Sequence, residues 1–457
     1  MQDPLAFPTA DDRPTLLRGG RVIDPASATD ATGDVLIRAG RIVSIATGRR
    51  RLDPPAGSRV IDAEGCLITP GLIDIHVHFR EPCVGGHHEE TIASGSAAAV
   101  AGGFTTVGCM PNTTPPLDTV DRVRFVAEQG AAAGAARVYA VAAATVDRAG
   151  AAAVDTEALA RAGAIAFSDD GDCIASAAVC REVLAATARV DSCFMQHCQE
   201  TTLTRGASMN AGPVADELGQ IGWPAVAEEM IIERDVRLNR AIGCRYHAQH
   251  VSSGVSADII RRARAEGQPV TGEASPHHLL LTDEACRGLD ANTKMNPPLR
   301  TATDVARLRA AIADGTITVL ATDHAPHPVA TKQAPFGEAS FGIVGLEPAL
   351  TLYARALVEE GVIDWPRMIA MMTIEPARLV GLDRHGLGTL APGGPGDVTL
   401  IDPDLEWRID AGEFASRGRN CPFDGWLVRG KAVATIVAGH LRHEQLGERL
   451  APASATG

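Results

Sequence analysis

Asp-Ile-His-Val-His, residues 74–78, closes an apolar run of the chain. Side chains alternate across a strand, so positions 74, 76 and 78 share one face and both histidines project together. Working outward, further apolar runs end near Met110, Ala143, Asp169, His197, His250, Ala274 and Asp323, with helical stretches between them. Val305, Leu308 and Ile312 recur at helical spacing, with Thr303 read as the N-cap and Gly315 past the end. After Asp118, the residues Val120, Val123 and Ala127 form another helical face, with Gly130 read as its stop. Eight strands alternating with helices across residues 70–385 predict a (β/α)₈ barrel. An open doubly wound sheet also alternates, but no Gly-rich phosphate turn follows any of these strands.

The two ends of the chain read differently. Val35-Leu36-Ile37, Arg41–Ile45 and Val60-Ile61-Asp62 are short strands broken by turns, and the pattern returns at Val398–Ile401 and Ala434–Val437. Residues 1–69 and 386–457 are therefore expected to build one small β-sandwich domain jointly. The 457 residues exceed one ordinary domain, in keeping with a large barrel and a smaller companion. With 45% hydrophobic and 21% charged residues the chain is globular, and disorder is excluded. Its net charge of -14 lacks the basic footprint of a nucleic-acid binder. No run of 18 apolar residues is present to span a membrane. Ten cysteines without a C-x-x-C pair suggest no disulfide framework, and Cys66, Cys109, Cys193 and Cys244 sit in apolar runs. The opening residues carry no basic and apolar leader pattern, so the expected compartment is the cytoplasm.

In a barrel, chemistry gathers at the C-terminal ends of the strands. Those ends carry His76 and His78, the pair Asp169-Asp170, then His197, His250 and Asp323. Four histidines and two carboxylates from five strand ends make an N/O donor set suited to zinc or a similar divalent metal. Parity leaves Asp169 and Asp170 undecided. It sets His247 and His250 on opposite faces, so His250, nearer the strand end, is expected inward, and His247→Ala is expected to leave metal content near normal. His277-His278 are expected to be structural, His87-His88 solvated, and His385, His440 and His443 outside the barrel core. Arg80 continues the parity of His76 and His78, and its guanidinium suits a carboxylate. Asn112 and Asn296, each beside a proline, offer donors and acceptors to an amide-rich ring.

Asp-Ile-His-Val-His-Phe-Arg-Glu-Pro (74–82), Met-Pro-Asn-Thr (110–113), Phe-Ser-Asp-Asp-Gly (167–171), Lys-Met-Asn-Pro-Pro-Leu-Arg (294–300) and Ala-Thr-Asp-His-Ala-Pro-His (321–327) stand in this order. As an ordered set, collinear from about 60 to 402, they resemble the long bacterial dihydroorotases of the amidohydrolase superfamily. The resemblance implies one metal on His76, His78, Asp170 and Asp323, and a second on Asp170, His197 and His250, with Asp170 bridging. It implies one or two zinc ions per chain, and a substrate, dihydroorotate or carbamoyl-aspartate, held by His78, Arg80, Asn112, Asn296 and His327 under Phe341-Gly342. Water activated by the metal would attack the ring amide carbonyl, with Asp323 carrying the proton. A homodimer and an association with aspartate transcarbamoylase are the partners it allows.

The chain departs from the usual dihydroorotase pattern at Cys83, in a longer 84–88 loop, at Cys198-Gln199-Glu200 and at Ser340. Hydantoinases, dihydropyrimidinases and allantoinases share the superfamily and bridge their metals with a carboxylated lysine at the fourth strand. This chain's three lysines, Lys294, Lys332 and Lys431, are remote from that strand in sequence, which disfavours those relatives. An inactive scaffold for transcarbamoylase would have lost ligands, and here each ligand position is filled.

Overall fold

A computed structural model describes Phe7, residues 13–84 and residues 90–447. Its centre is an eight-stranded parallel sheet in chain order: Leu72–Val77, Phe104–Cys109, Arg137–Ala143, Ala166–Ser168, Cys193–Gln196, Arg245–Ala248, Val270–Ala274 and Val319–Leu320. The eighth strand meets the first through a parallel bridge, Val77 to His324, and the His78 amide donates to the His324 carbonyl at 2.9 Å. The sheet is thereby the nearly closed barrel expected. Ile73, Ile75, Val141, Met195 and Val319 fill one cluster of its core, and Val107, Val123, Ile231, Ile260 and Leu308 belong to the larger core shared with the helices.

Strands from both ends of the chain join a second, mostly antiparallel sheet of eight strands. Thr15–Asp24 is its branch point, pairing with Thr29–Arg38 on one edge and with Arg59–Asp62 and Leu67–Pro70 on the other. Val398–Arg408 continues it beside Leu67–Pro70, followed by Leu427–Val437 and His440–Glu444. Leu17, Val35, Ile68, Leu400 and Ile436 share its core.

Two helix ends differ from the sequence reading. The helix Ala302–Ala313 is capped by Thr301, not Thr303, because Thr301 and Asp304 exchange side-chain and backbone bonds in a capping box. The helix Val120–Ala133 runs through Gly130 and ends at left-handed Gly134 (φ +65°). Gly130 is there for close approach: a Cβ would sit 2.8 Å from Val138 Cβ in the next strand. His87-His88 and most of the 84–88 loop lie outside the described residues. Cys109, Cys173, Cys180, Cys193, Cys198, Cys244, Cys286 and Cys421 are free thiols.

Candidate metal centre and substrate cavity

The side chains at the barrel mouth are placed by what happens after each strand stops. Arg80, His250 and Asp323 adopt left-handed backbone at φ +59°, +32° and +50°. Such conformations cost non-glycine residues of order 1–3 kcal/mol each. One buried aliphatic side chain contributes about 1.5–3 kcal/mol, so the surrounding core can hold these turns. Glu228 holds the turn beyond His250, accepting from the backbone amides of Ser252 and Ser253 and from the Ser252 hydroxyl.

Three buried groups of donors converge there: His76, His78 and Asp170; His76, His250 and Asp323; Asp170, His197 and His250. Within each group the donor atoms lie within 4.8 Å of one another. Asp170 is the hub. Its Oδ1 is 3.5 Å from His76 Nε2, 3.4 Å from His197 Nδ1 and 3.4 Å from His250 Nε2, and its Oδ2 is 3.4 Å from His78 Nε2. Asp323 Oδ1 lies 3.0 Å from His78 Nε2 and 3.4 Å from His76 Nε2. Parity had left the fourth strand undecided, and the contacts decide it. Asp169 accepts from the Ala144 and Thr145 amides at 2.9 and 3.0 Å and from the Thr145 hydroxyl, so it holds the adjoining loop instead.

The far nitrogen of three histidines faces an acceptor. His76 Nδ1 is 2.5 Å from Glu273 Oε1, His78 Nδ1 is 2.8 Å from Asn112 Oδ1, and His197 Nε2 is 2.8 Å from Gln199 Oε1. Each acceptor requires the proton on that nitrogen, which leaves the other lone pair aimed into the cluster. His197 Nδ1 and His250 Nε2 then face each other at 2.8 Å, while His76 Nε2, Asp170 Oδ1 and Asp323 Oδ2 are buried without hydrogen-bond partners. Converging lone pairs and orphaned buried oxygens are satisfied together by a cation, so the donor set fits one or two divalent metal ions.

Protons can take a cation's place among these donors: burial pushes the Asp323 carboxyl up, but the charge of a protonated His76 and the bond from His78 outweigh it, and the group stays below the usual carboxylate range. Burial opposes ionisation of Asp170 too, yet His76, His197 and His250 hold it well below that range. Burial, with the charges of Arg80, Lys332 and His78, pushes His327 down to about 3. It is neutral near pH 7.

A cavity of about 190 Å³ opens onto these donors, and His78, Arg80, Asn112, Asn296, His327, Phe341 and Gly342 all line it. The structure thus brings the candidate metal donors and the candidate substrate-binding residues to one mouth. Arg80 arrives by its left-handed turn, not by strand parity, and its Nη1 lies 3.5 Å from Asn112 Oδ1. His277 and His278 are buried beside the site without joining a metal group, and His278 Nε2 is bonded to the Pro297 carbonyl at 3.0 Å. Ser340 donates its amide to the Thr331 carbonyl, a bond that a proline could not make.

His247 needs correction. It is not turned away: its Nε2 bonds Glu273 Oε2 at 3.0 Å and its Nδ1 faces Thr271 Oγ1 at 2.7 Å. Parity failed because His250 lies beyond the strand, on a backbone that no longer alternates. His247→Ala therefore leaves a buried oxygen of Glu273, the partner of His76, without its donor. The expected result is a loss of metal affinity of roughly 10–100-fold, read by chelator competition. Unchanged affinity would make His247 a packing residue.

Sequence reasoning missed Glu273, Gln199, Lys332 and Asn420. Glu273 stood in plain view as a carboxylate within the seventh apolar run. Lys332 donates to the carbonyls of Ser340 (2.8 Å) and Gly342 (3.0 Å). Asn420, far along the chain, donates to the carbonyls of Ala325 and Gly342, both at 2.9 Å, and accepts from the His327 amide. No sequence signal linked Lys332 or Asn420 to the mouth.

Residues 65–256 match the family described as dihydro-orotase-like. Among curated proteins, the dihydroorotase of Citrifermentans bemidjiense is 42% identical over 429 residues, covering 94% of this chain and 99% of that one. The dihydroorotase of Pelotomaculum thermopropionicum is 44% identical over 426 residues, covering 93% and 97%. Among solved structures, the L-hydantoinase of Arthrobacter aurescens superposes with a TM-score of 0.82 at 25% identity, over 94% of this chain and 96% of that one. The dihydropyrimidinase of Brevibacillus agri gives 0.81 at 21% identity, covering 95% of each chain, and shares the fold. The solved hydantoinases share the architecture, whereas the sequence kinship runs at above 40% along nearly the whole of both partners, and the chain accordingly belongs to the dihydroorotase family.

Proposed function

We propose that the protein is a zinc-dependent dihydroorotase, interconverting N-carbamoyl-L-aspartate and L-dihydroorotate in pyrimidine biosynthesis. One observation carries the reading: the convergent metal donors open onto the same cavity as an arginine and two asparagines suited to a small, amide-rich acid. A divalent metal bound there lowers the pKa of water and polarises a carbonyl oxygen. Arg80 pairs with the substrate carboxylate, while Asn112 and Asn296 meet ring amide groups. His327, being neutral, offers a donor and an acceptor without adding charge. Phe341 and Gly342 cover the ring. Asp323, ionised across the neutral range, takes the proton of the attacking water and delivers it to the leaving ring nitrogen. In ring closure it removes the proton from the carbamoyl nitrogen.

A carboxylate just past the fourth strand, Asp170, stands at the centre of the donors, and the three lysines are elsewhere. Lys294 donates to the Gly337 carbonyl, Lys332 lies under Ser340 and Gly342, and Lys431 belongs to Leu427–Val437. This favours dihydroorotate over the substrates of the lysine-bridged relatives. It also speaks against a pure scaffold, for every donor is in place. Ring opening of dihydroorotate, hydantoin and allantoin, measured beside elemental analysis, tests the reading. Active protein without metal, or a preference for hydantoin or allantoin, refutes it. The cytoplasm, a homodimer and an aspartate transcarbamoylase partner belong to the same proposal. Among the described residues no helix is long and apolar enough to cross a membrane.

Arg80→Met removes a charge-assisted contact worth about 1.5–3 kcal/mol, so dihydroorotate turnover falls roughly 10–150-fold with metal content unchanged. Uncharged cyclic amides lose much less. Equal losses on both substrate types would mean that Arg80 supports the fold instead of reading the carboxylate.

A further inference from the structure

Gln199 follows His197 by two residues, at one of the places where the chain departs from the usual dihydroorotase pattern. Its amide is oriented from behind. The Thr204 hydroxyl donates to the Thr201 carbonyl at 3.5 Å and accepts from Gln199 Nε2 at 2.7 Å. With the NH₂ group so engaged, Gln199 Oε1 faces the site and stands as a pure acceptor. Two donors point at it: His197 Nε2 at 2.8 Å and Asn296 Nδ2 at 3.4 Å.

Each contact fixes a choice that its recipient could otherwise make either way. A neutral imidazole carries its proton on either nitrogen, and a side-chain amide can turn over. Bonded to Gln199, His197 carries its proton on Nε2, so Nδ1 is bare where Asp170 and His250 meet it. Bonded to the same oxygen, Asn296 turns its NH₂ away and leaves Oδ1 as the outstanding group. That Oδ1 is buried and has no hydrogen-bond partner, on a residue lining the substrate cavity. A buried amide oxygen without a partner is unfavourable, and a ring N–H of the substrate relieves that cost.

We propose that Gln199 is a positioning residue whose single carbonyl oxygen sets both the tautomer of the metal ligand His197 and the amide orientation of Asn296. The polar chain Thr204–Gln199 thereby presets a bare nitrogen for the metal and an acceptor for a substrate N–H. The reading of the cavity as a metal and dihydroorotate site underlies this inference.

The test uses Gln199→Leu, which removes the acceptor, Gln199→Glu, which keeps it, and Asn296→Ala alone and combined with Gln199→Leu. The zinc dissociation constant, from competition with a chromophoric chelator, is measured without substrate. Gln199→Leu is expected to weaken zinc roughly 10–100-fold. It should also raise KM for dihydroorotate about 2–10-fold, the worth of one ordinary hydrogen bond. Gln199→Glu should bind zinc at least as tightly as wild type and keep KM within about threefold. In the Asn296→Ala background Gln199→Leu should no longer raise KM, since a residue acting through Asn296 has nothing left to orient. A Gln199→Leu protein with wild-type zinc affinity and KM overturns the proposal. So do KM effects that multiply in the double variant, or a Gln199→Glu protein as impaired as Gln199→Leu. Thr204→Val, which frees the Gln199 amide to turn, repeats the test should Gln199→Leu not fold: weaker zinc supports the proposal and unchanged zinc overturns it. If wild type neither holds metal nor opens dihydroorotate, it is the assigned function that fails.

Discussion

Asp323→Asn, saturated with zinc, is expected to turn dihydroorotate over about 10²–10⁴-fold more slowly than wild type, the range ascribed to general acid–base assistance. The amide keeps the shape and one oxygen able to ligate a cation beside His76 and His78, so most of the metal stays. What it loses is the ability to take a proton. Asp323 suits that task by position and by charge: it lines the cavity, its Oδ2 is buried without a partner, and it is held ionised. Loss of this base begins only when pH falls into or below the carboxylate range, so ring opening should not lose it anywhere near pH 7. The competing proton carrier is His327. With its pKa near 3 it is neither a ready acid nor a strong base at pH 7. Comparing Asp323→Asn with His327→Asn, both pre-loaded with excess zinc, decides the matter. Recovery of most activity in Asp323→Asn, with His327→Asn nearly dead, would give the role to the histidine.

The second large effect is expected on metal content. Asp170→Ala should retain at most one ion per chain under conditions that load wild type fully, with an affinity loss greater than the roughly 10–100-fold that follows removal of an outer partner. Among the described residues its carboxylate is the only group in contact with all four imidazoles of the cluster, those of His76, His78, His197 and His250. Without it the four rings face a buried space with one carboxylate, Asp323, left to balance a cation. Elemental analysis after dialysis reads the stoichiometry directly. A full complement of two ions in Asp170→Ala would show that this carboxylate does not bridge.

Much of this was legible in the chain itself. The eight apolar runs are local patterns, and burial forces such runs into strands wherever they lie, so the barrel and the list of residues at its mouth could be read off in order. The six candidate metal donors and Arg80, Asn112, Asn296, His327, Phe341 and Gly342 were placed by that order and by resemblance, and the structure gathers them at one cavity.

Periodicity stopped being informative where the strands stop. Arg80, His250 and Asp323 sit on left-handed backbone, where alternation carries no information about direction. Asp169 and Asp170 are neighbours of identical chemistry, and only contacts with residues from other strands separate the loop anchor from the hub. His247 depended on Glu273, 26 positions away, which in turn holds His76, 197 positions away. Asn420 reaches Ala325 from 95 positions along the chain. The sequence by itself therefore determined the architecture and the identity of the reactive groups, because those follow from burial and short-range pattern. Only the tertiary structure decided tautomer, amide orientation and support, because a hydrogen bond is directional and short, and its two halves here come from segments that meet only when the barrel closes.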